Sequence, residues 1–237
     1  MGHAFFSLFA AGLAFSGSHI LLSSTRLRGA LRDQIGENGF LFVYSLTALV
    51  TLAWFVVAYA RAPRLLLWTV PFTTRLVPVV LMPLATILLV AGYSTPNPTA
   101  VGMERRAAAD DPAPGILRVT RHPVMWALGL WALGHLVANA DLASLWFFGA
   151  IAALALEGTV LIDRKKRLAL GSNWQRLASV TSNVPFAALA ARRSQLRLRD
   201  IGLLRPIAAL LLYAVLYLAH PLFAGVPIVL SWPAGAR

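Results

Sequence analysis

Six stretches of this 237-residue chain run for about twenty residues with almost no charge, and that feature confines the fold more than any other. They lie at roughly 3–22, 40–60, 75–93, 123–140, 143–162 and 204–220. Lipid offers no partner to a backbone N–H or C=O, so a spanning segment must satisfy its own groups, as a helix does. The expected fold is therefore all-α, a polytopic membrane bundle of about six transmembrane helices. A hydrophobic content of 58% against 13% charge excludes an ordinary soluble domain. The first stretch has no basic run before it; Arg26, Arg28 and Arg32 follow it, so it reads as a retained helix rather than a secretory signal. Pro78 and Pro83 predict a kink in the third, and Trp68, in a connection too short to span, suits the membrane interface.

The net charge of +12 is carried between the apolar runs. Seventeen of the 21 Lys and Arg residues fall in 23–39, 94–122 and 163–205, and only Arg61, Arg64, Arg75 and Arg237 fall on the other side. This bias predicts a plasma (inner) membrane protein with the N-terminus outside and the main basic connections cytoplasmic. No nucleic-acid reading motif accompanies the charge, so the expected partner is anionic lipid, not nucleic acid. Residues 94–119 read as an irregular cytoplasmic loop. Residues 163–200 mix basic and apolar residues at near-helical spacing, the pattern of an amphipathic segment on the leaflet. Two regions are expected: a core over 1–191, and a basic segment with the last helix over 192–237. With no cysteine in the chain, histidine is left as the main soft ligand.

Ionisable residues inside a span are functional candidates by default. Here they are His19, His135 and Glu157, with His122 at the mouth of the fourth span. His3 and His220 sit near span ends, where headgroup contact accounts for them. His19 follows Ser16, Gly17 and Ser18, small residues that admit a close neighbour or simply pack a helix. His122 lies in Thr-Arg-His-Pro, with Pro123 suited to a first helical position. Arg121 and His122 would then flank a helix N-terminus, a place for an anion or a plain interfacial anchor. His135 has Trp131 one turn back and Asn139 one turn on, the latter placed for a hydrogen bond to the imidazole. Glu157 is expected to be buried, and an ion pair with Arg121 is its simplest role. Thirteen residues separate His122 from His135, about 20 Å of helix. They cannot share one metal, and His19 is the natural partner of either.

The residues Gly-Ser-His (17–19), Thr-Arg-His-Pro (120–123), Trp-Ala-Leu-Gly-His-Leu-x-Ala-Asn (131–139) and Val-Pro-Phe (184–186) together resemble the NnrU family of bacterial membrane proteins. They are also similar to the related 15-cis-ζ-carotene isomerases, over most of 12–190. The resemblance implies a transmembrane core binding haem b through histidines, with His19 and His135 matching the proposed iron ligands and His122 as second choice. With haem in view, Arg121 and His122 at the helix mouth and Asn139 one turn from His135 are candidate further cofactor contacts. The resemblance further implies redox, nitric-oxide or denitrification-linked, or cis–trans isomerisation chemistry on a small apolar substrate. One departure is Ala132, where the isomerases carry a cysteine three residues before the second histidine.

A competing resemblance is to the Arg-His-Pro membrane methyltransferases, which bind S-adenosylmethionine. Arg121, His122, Gly171 and Trp174 fall in the matching order. Met125 stands where those enzymes have tyrosine, and their acidic pair is reduced to Asp163 followed by Arg164. A shared fold with a different cofactor accounts for both resemblances.

Overall fold

A computed structural model describes residues 2–24, 26–225 and 228. It is all-helical, with α1 over Gly2–Ser24, α2 over Arg26–Arg61, α3 over Leu76–Ser94, α4 over Pro123–Ala138 and α5 over Leu142–Leu170. The short helices α6, α7 and α8 cover Ser172–Val180, Ala187–Ala190 and Leu198–Ile201, and α9 covers Leu204–Ala224. Among the described residues, α1, α2, α3, α5 and α9 are long and apolar enough to cross a membrane. The fourth predicted span forms the shorter α4, whose 16 residues rise about 24 Å. Pro123 opens it, and the Asn-Ala-Asp turn at 139–141 ends it before a full bilayer is crossed.

The chain divides into two compact units. The first contains Met1–Val70 and Asn139–Leu154. There α1 packs on α2 through buried Leu8, Ala11, Phe15 and Phe55. Gly12 is required at this contact, because a Cβ would lie 3.0 Å from the Phe55 ring and closer still to the Trp146 indole. The start of α5 is capped by Asp141, which accepts the Ser144 amide at 2.9 Å and the Ser144 hydroxyl at 2.6 Å. Tyr59 Oη lies 2.9 Å from the same hydroxyl, and Arg64 sits 3.5 Å from Asp141. The connection predicted at 23–39 is instead largely helical. Gly36, at φ 73°, breaks α2 there, and Arg28 and Arg32 pair across the break with Glu37. Polar sequence was mistaken for loop.

The second unit contains Pro71–Ala138 and Ala155–Arg237. Close approach of α3 and α4 rests on Gly92, where a Cβ would lie 2.9 Å from Val124 and 3.0 Å from Pro123. Gly134 does the same against Met82. Pro83 lies inside α3 and has no N–H for the Val79 carbonyl. Tyr213 of α9 donates to that carbonyl at 3.4 Å. The α4 helix runs antiparallel to residues 155–170 of α5, so Gly129 meets Leu156 and Met125 meets Gly158.

Residues 163–200 form the end of α5 and then the short helices α6, α7 and α8. Gly171, at φ 54°, turns the chain back, and α6 buries Trp174 and Leu177 in a core with Leu88, Ala91, Ile116 and Leu117. The apolar residues read as lipid-facing are there to pack on the protein itself. The irregular loop over 94–119 is compact, with two 3₁₀ turns and buried Ala107, Ala113 and Leu117.

Candidate functional site

The antiparallel run of α4 and residues 155–170 of α5 sets residues of the two helices opposite each other. His122, just ahead of α4, thereby meets Asp163, near the end of α5, 41 residues later. Asp163 accepts Arg121 Nε at 2.8 Å, Arg121 Nη2, His122 Nε2 at 2.6 Å and Asn183 Nδ2 at 3.3 Å. Its two oxygens thus take four N–H donors, close to the capacity of a carboxylate. The Arg121 guanidinium stacks over Trp174 at 5.2 Å. The His122 side chain is 1% exposed, and those of Arg121 and Asp163 only 12% and 13%.

The backbone around this ion cluster is equally tied. The Arg121 amide donates to Ser182 O at 3.0 Å, while its carbonyl accepts Asn97 Nδ2 at 3.0 Å and Thr99 Oγ1 at 3.1 Å. The Asn183 carbonyl accepts Thr120 Oγ1 at 2.6 Å and Trp126 Nε1 at 2.8 Å. Thr-Arg-His-Pro and the Ser-Asn-Val-Pro-Phe stretch, far apart in sequence, are therefore two sides of one clasp closed by Asp163. Burial holds the His122 imidazole below its ordinary range, and Arg121 adds to this, although the Asp163 carboxylate opposes both.

Arg121 is thus paired with Asp163, not with Glu157. Glu157 is exposed on the outer side of α5, in contrast to the buried position expected. The helix phase decides this: the face that carries Thr159 and Lys166 inward turns residue 157 outward. In the sequence, Asp163 stands out only as the remnant of an acidic pair. Its role comes from the antiparallel packing of α4 on the second half of α5.

The other two histidines are arranged differently, and alike. In the first unit, His19 Nδ1 donates to the Phe15 carbonyl one turn back at 2.8 Å, with the Phe15 ring 4.5 Å away. In the second unit, His135 Nδ1 donates to the Trp131 carbonyl one turn back at 2.8 Å, with the Trp131 ring 5.0 Å away. A carbonyl can only accept, so Nδ1 carries a proton in each. An Nδ1–H held by a carbonyl fixes the ring's orientation, as it does for metal-bound imidazoles steadied through their other nitrogen. Asn139 lies just beyond the end of α4, and the Nδ1 proton of His135 goes to the backbone. His220 of α9 is within electrostatic reach of His135.

Beside His19, Tyr44 stands edge-on with ring centres 5.7 Å apart. Arg28 lies over Phe40 at 5.4 Å and 3.7 Å from Glu37, yet its buried Nε has no hydrogen-bond partner. Ser16 Oγ, one turn from His19, is buried and unpartnered too. No cluster of three or more His, Asp or Glu residues suited to a bare metal ion occurs among the described residues.

The family model for the NnrU protein matches residues 7–228. The 15-cis-zeta-carotene isomerase of Arabidopsis thaliana chloroplasts is 29% identical over 151 residues, 57% of this chain and 39% of the relative. Its Zea mays counterpart is 28% identical over the same shares. The chain thus spans about two fifths of the length of these curated relatives. No solved structure matches it.

Proposed function

This chain belongs to the NnrU family, and from that premise we propose that it is a membrane haem protein acting on a small apolar substrate. Haem b is held by His19 and His135, and cis–trans isomerisation of a double bond is the favoured chemistry. The carrying observation is the shared arrangement of the two imidazoles, each with Nδ1 donating to the carbonyl one turn back and an aromatic ring beside it. The unpartnered Ser16 Oγ one turn from His19, and the unpartnered Arg28 Nε, within electrostatic reach of Tyr44, suit the propionates of a porphyrin. Bound haem would supply redox-active iron chemistry. The chain's own part is to fix the imidazole planes through Phe15 and Trp131 and to exclude water with apolar helices. Ala132, fully buried one turn before His135, leaves room without adding a donor. The similarity to the two carotene isomerases supports an apolar, polyene-like substrate. The excess of Lys and Arg between the spans supports an orientation with the Asp163 clasp at the cytoplasmic face of the plasma membrane.

The test is spectroscopic. Detergent-purified protein supplemented with haem is expected to show a Soret band that shifts on reduction. His19→Ala and His135→Ala should each lose it, with α-helical circular dichroism retained. No Soret band in the wild type, or an unchanged band in both variants, overturns the reading. Saturable S-adenosylmethionine binding lost in Arg121→Ala would move the assignment to methyl transfer. Among the described residues that reading has less in its favour, because Arg121 and His122 are spent on Asp163.

A further inference from the structure

The second unit carries a site of a different kind, independent of the haem reading. An open cleft of about 400 Å³ lies beside the start of α9, lined by Arg118, Arg192, Arg193, Ser194, Arg197 and Asp200. Four guanidinium groups face one carboxylate. Two of the four are structurally occupied in part. Arg193 Nη1 binds the carbonyls of Ala178, Ser179 and Thr181 at the end of α6. Arg118 reaches Asp111 at 2.9 Å and Ser194 Oγ at 3.4 Å, but its buried Nε has no partner. Arg192 and Arg197 are exposed.

The backbone holds these groups at some cost. Arg192 adopts φ 54°, a conformation that a branched-chain or long side chain rarely takes. Gly115, at φ 56°, lets residue 200 approach so closely that a Cβ there would lie 2.8 Å from the Asp200 carbonyl. A cleft with surplus positive charge, two of whose guanidinium groups are exposed, is a place for an anion.

The position says which anion. Asp200 precedes Leu204, the first residue of the apolar α9, by four residues, and Arg118 precedes Pro123, the first residue of α4, by five. The cleft is therefore at the level of the helix ends, where lipid headgroups lie. Leu203 and Leu204, next along the chain, are 75% and 81% exposed, an apolar surface beside the arginines. We propose that this cleft binds a phosphate group, presented by an anionic phospholipid. The planar guanidinium forks take the phosphate oxygens, and the leucines meet the acyl chains.

Native mass spectrometry of the full chain in detergent, with phosphatidylglycerol or phosphatidylcholine added, tests this. The wild type should retain phosphatidylglycerol selectively. Arg192→Gly with Arg197→Ala should weaken that binding by about thirtyfold, roughly fivefold for each arginine near a headgroup. Arg61→Ala with Arg75→Ala, which removes the same charge from exposed positions elsewhere, should leave it unchanged. The glycine relieves the strain at residue 192, so folding is expected to survive, and a thermal melt checks this. Inorganic phosphate is titrated in a parallel arm. Binding of phosphate that the cleft variant loses, without lipid selectivity, supports the phosphate site with a soluble source. Equal retention of both lipids with no phosphate binding, or equal weakening by the control pair, overturns the proposal.

Discussion

The Asp163 clasp and the two membrane histidines make opposite use of the same chemistry. In the clasp, both oxygens of one carboxylate are filled and His122 spends its Nε2 on that carboxylate. At His19 and His135, the carbonyl one turn back takes the Nδ1 proton. A histidine whose acidic nitrogen is turned to a carboxylate is a structural donor. One whose Nδ1 is turned to its own helix has its ring held by that helix, and the haem proposal rests on this arrangement. The difference lies in the partner, not in burial or in motif.

The largest effect expected from this division is on haem. His19→Ala and His135→Ala should lose the Soret band entirely, while His122→Gln should keep it, because His122 presents no lone pair on Nε2. A Soret band that depends on His122 would break the division at once.

The next effect is on stability. Asp163→Ala strands Arg121 and His122 inside the clasp, and removing one partner of a buried ion pair costs about 3–5 kcal/mol. Equilibrium unfolding in detergent measures it. Haem bound per folded molecule should not change. Asp163→Asn, which keeps one acceptor oxygen, should lose less. A variant with full stability and no haem would place Asp163 with the histidines instead.

Much of this architecture was legible in the sequence, and the reasons it stopped being so are physical. Apolar run length announces spans because lipid penalises an unsatisfied backbone, so all six stretches appear as helices. Polarity says little about helix or loop, and residues 26–35 were missed for that reason. The amphipathic spacing in α6 was visible, but a pattern cannot say whether its apolar face meets lipid or Trp174's own core. His19 and His135 were legible as candidates, whereas the position of their protons was not, since that depends on backbone geometry. Asp163 was visible but unweighted, because its role comes from the hairpin and not from its neighbours in sequence.

A smaller effect concerns pH. The folded state holds His122 below its ordinary range, so the unfolded chain takes up the proton first as pH falls. More protons are bound by the unfolded state, and stability therefore declines as pH drops below about 6.5. The midpoint of thermal unfolding should be lower at pH 5 than at pH 8. That difference should shrink in His122→Gln, which keeps a donor toward Asp163 but does not titrate. An undiminished difference would assign the pH response to another group.

The smallest effect separates burial from pairing. Glu104 receives Lys166 Nζ at 2.6 Å, a contact as short as that of His122 with Asp163. Burial pushes the Glu104 carboxyl up, but the Lys166 bond and its own loop amides outweigh that and hold it below the usual range. Its side chain is 43% exposed, so water screens most of the attraction. Its stabilisation is present above about pH 4.5 and fades as pH falls below that value. Glu104→Gln should cost about 1 kcal/mol or less at pH 7. Lys166 still donates to the Ala100 carbonyl at 3.1 Å in that variant, so no cation is stranded. If Glu104→Gln cost as much as Asp163→Ala, contact length and not enclosure would set the strength of these pairs, and the clasp would have no special standing.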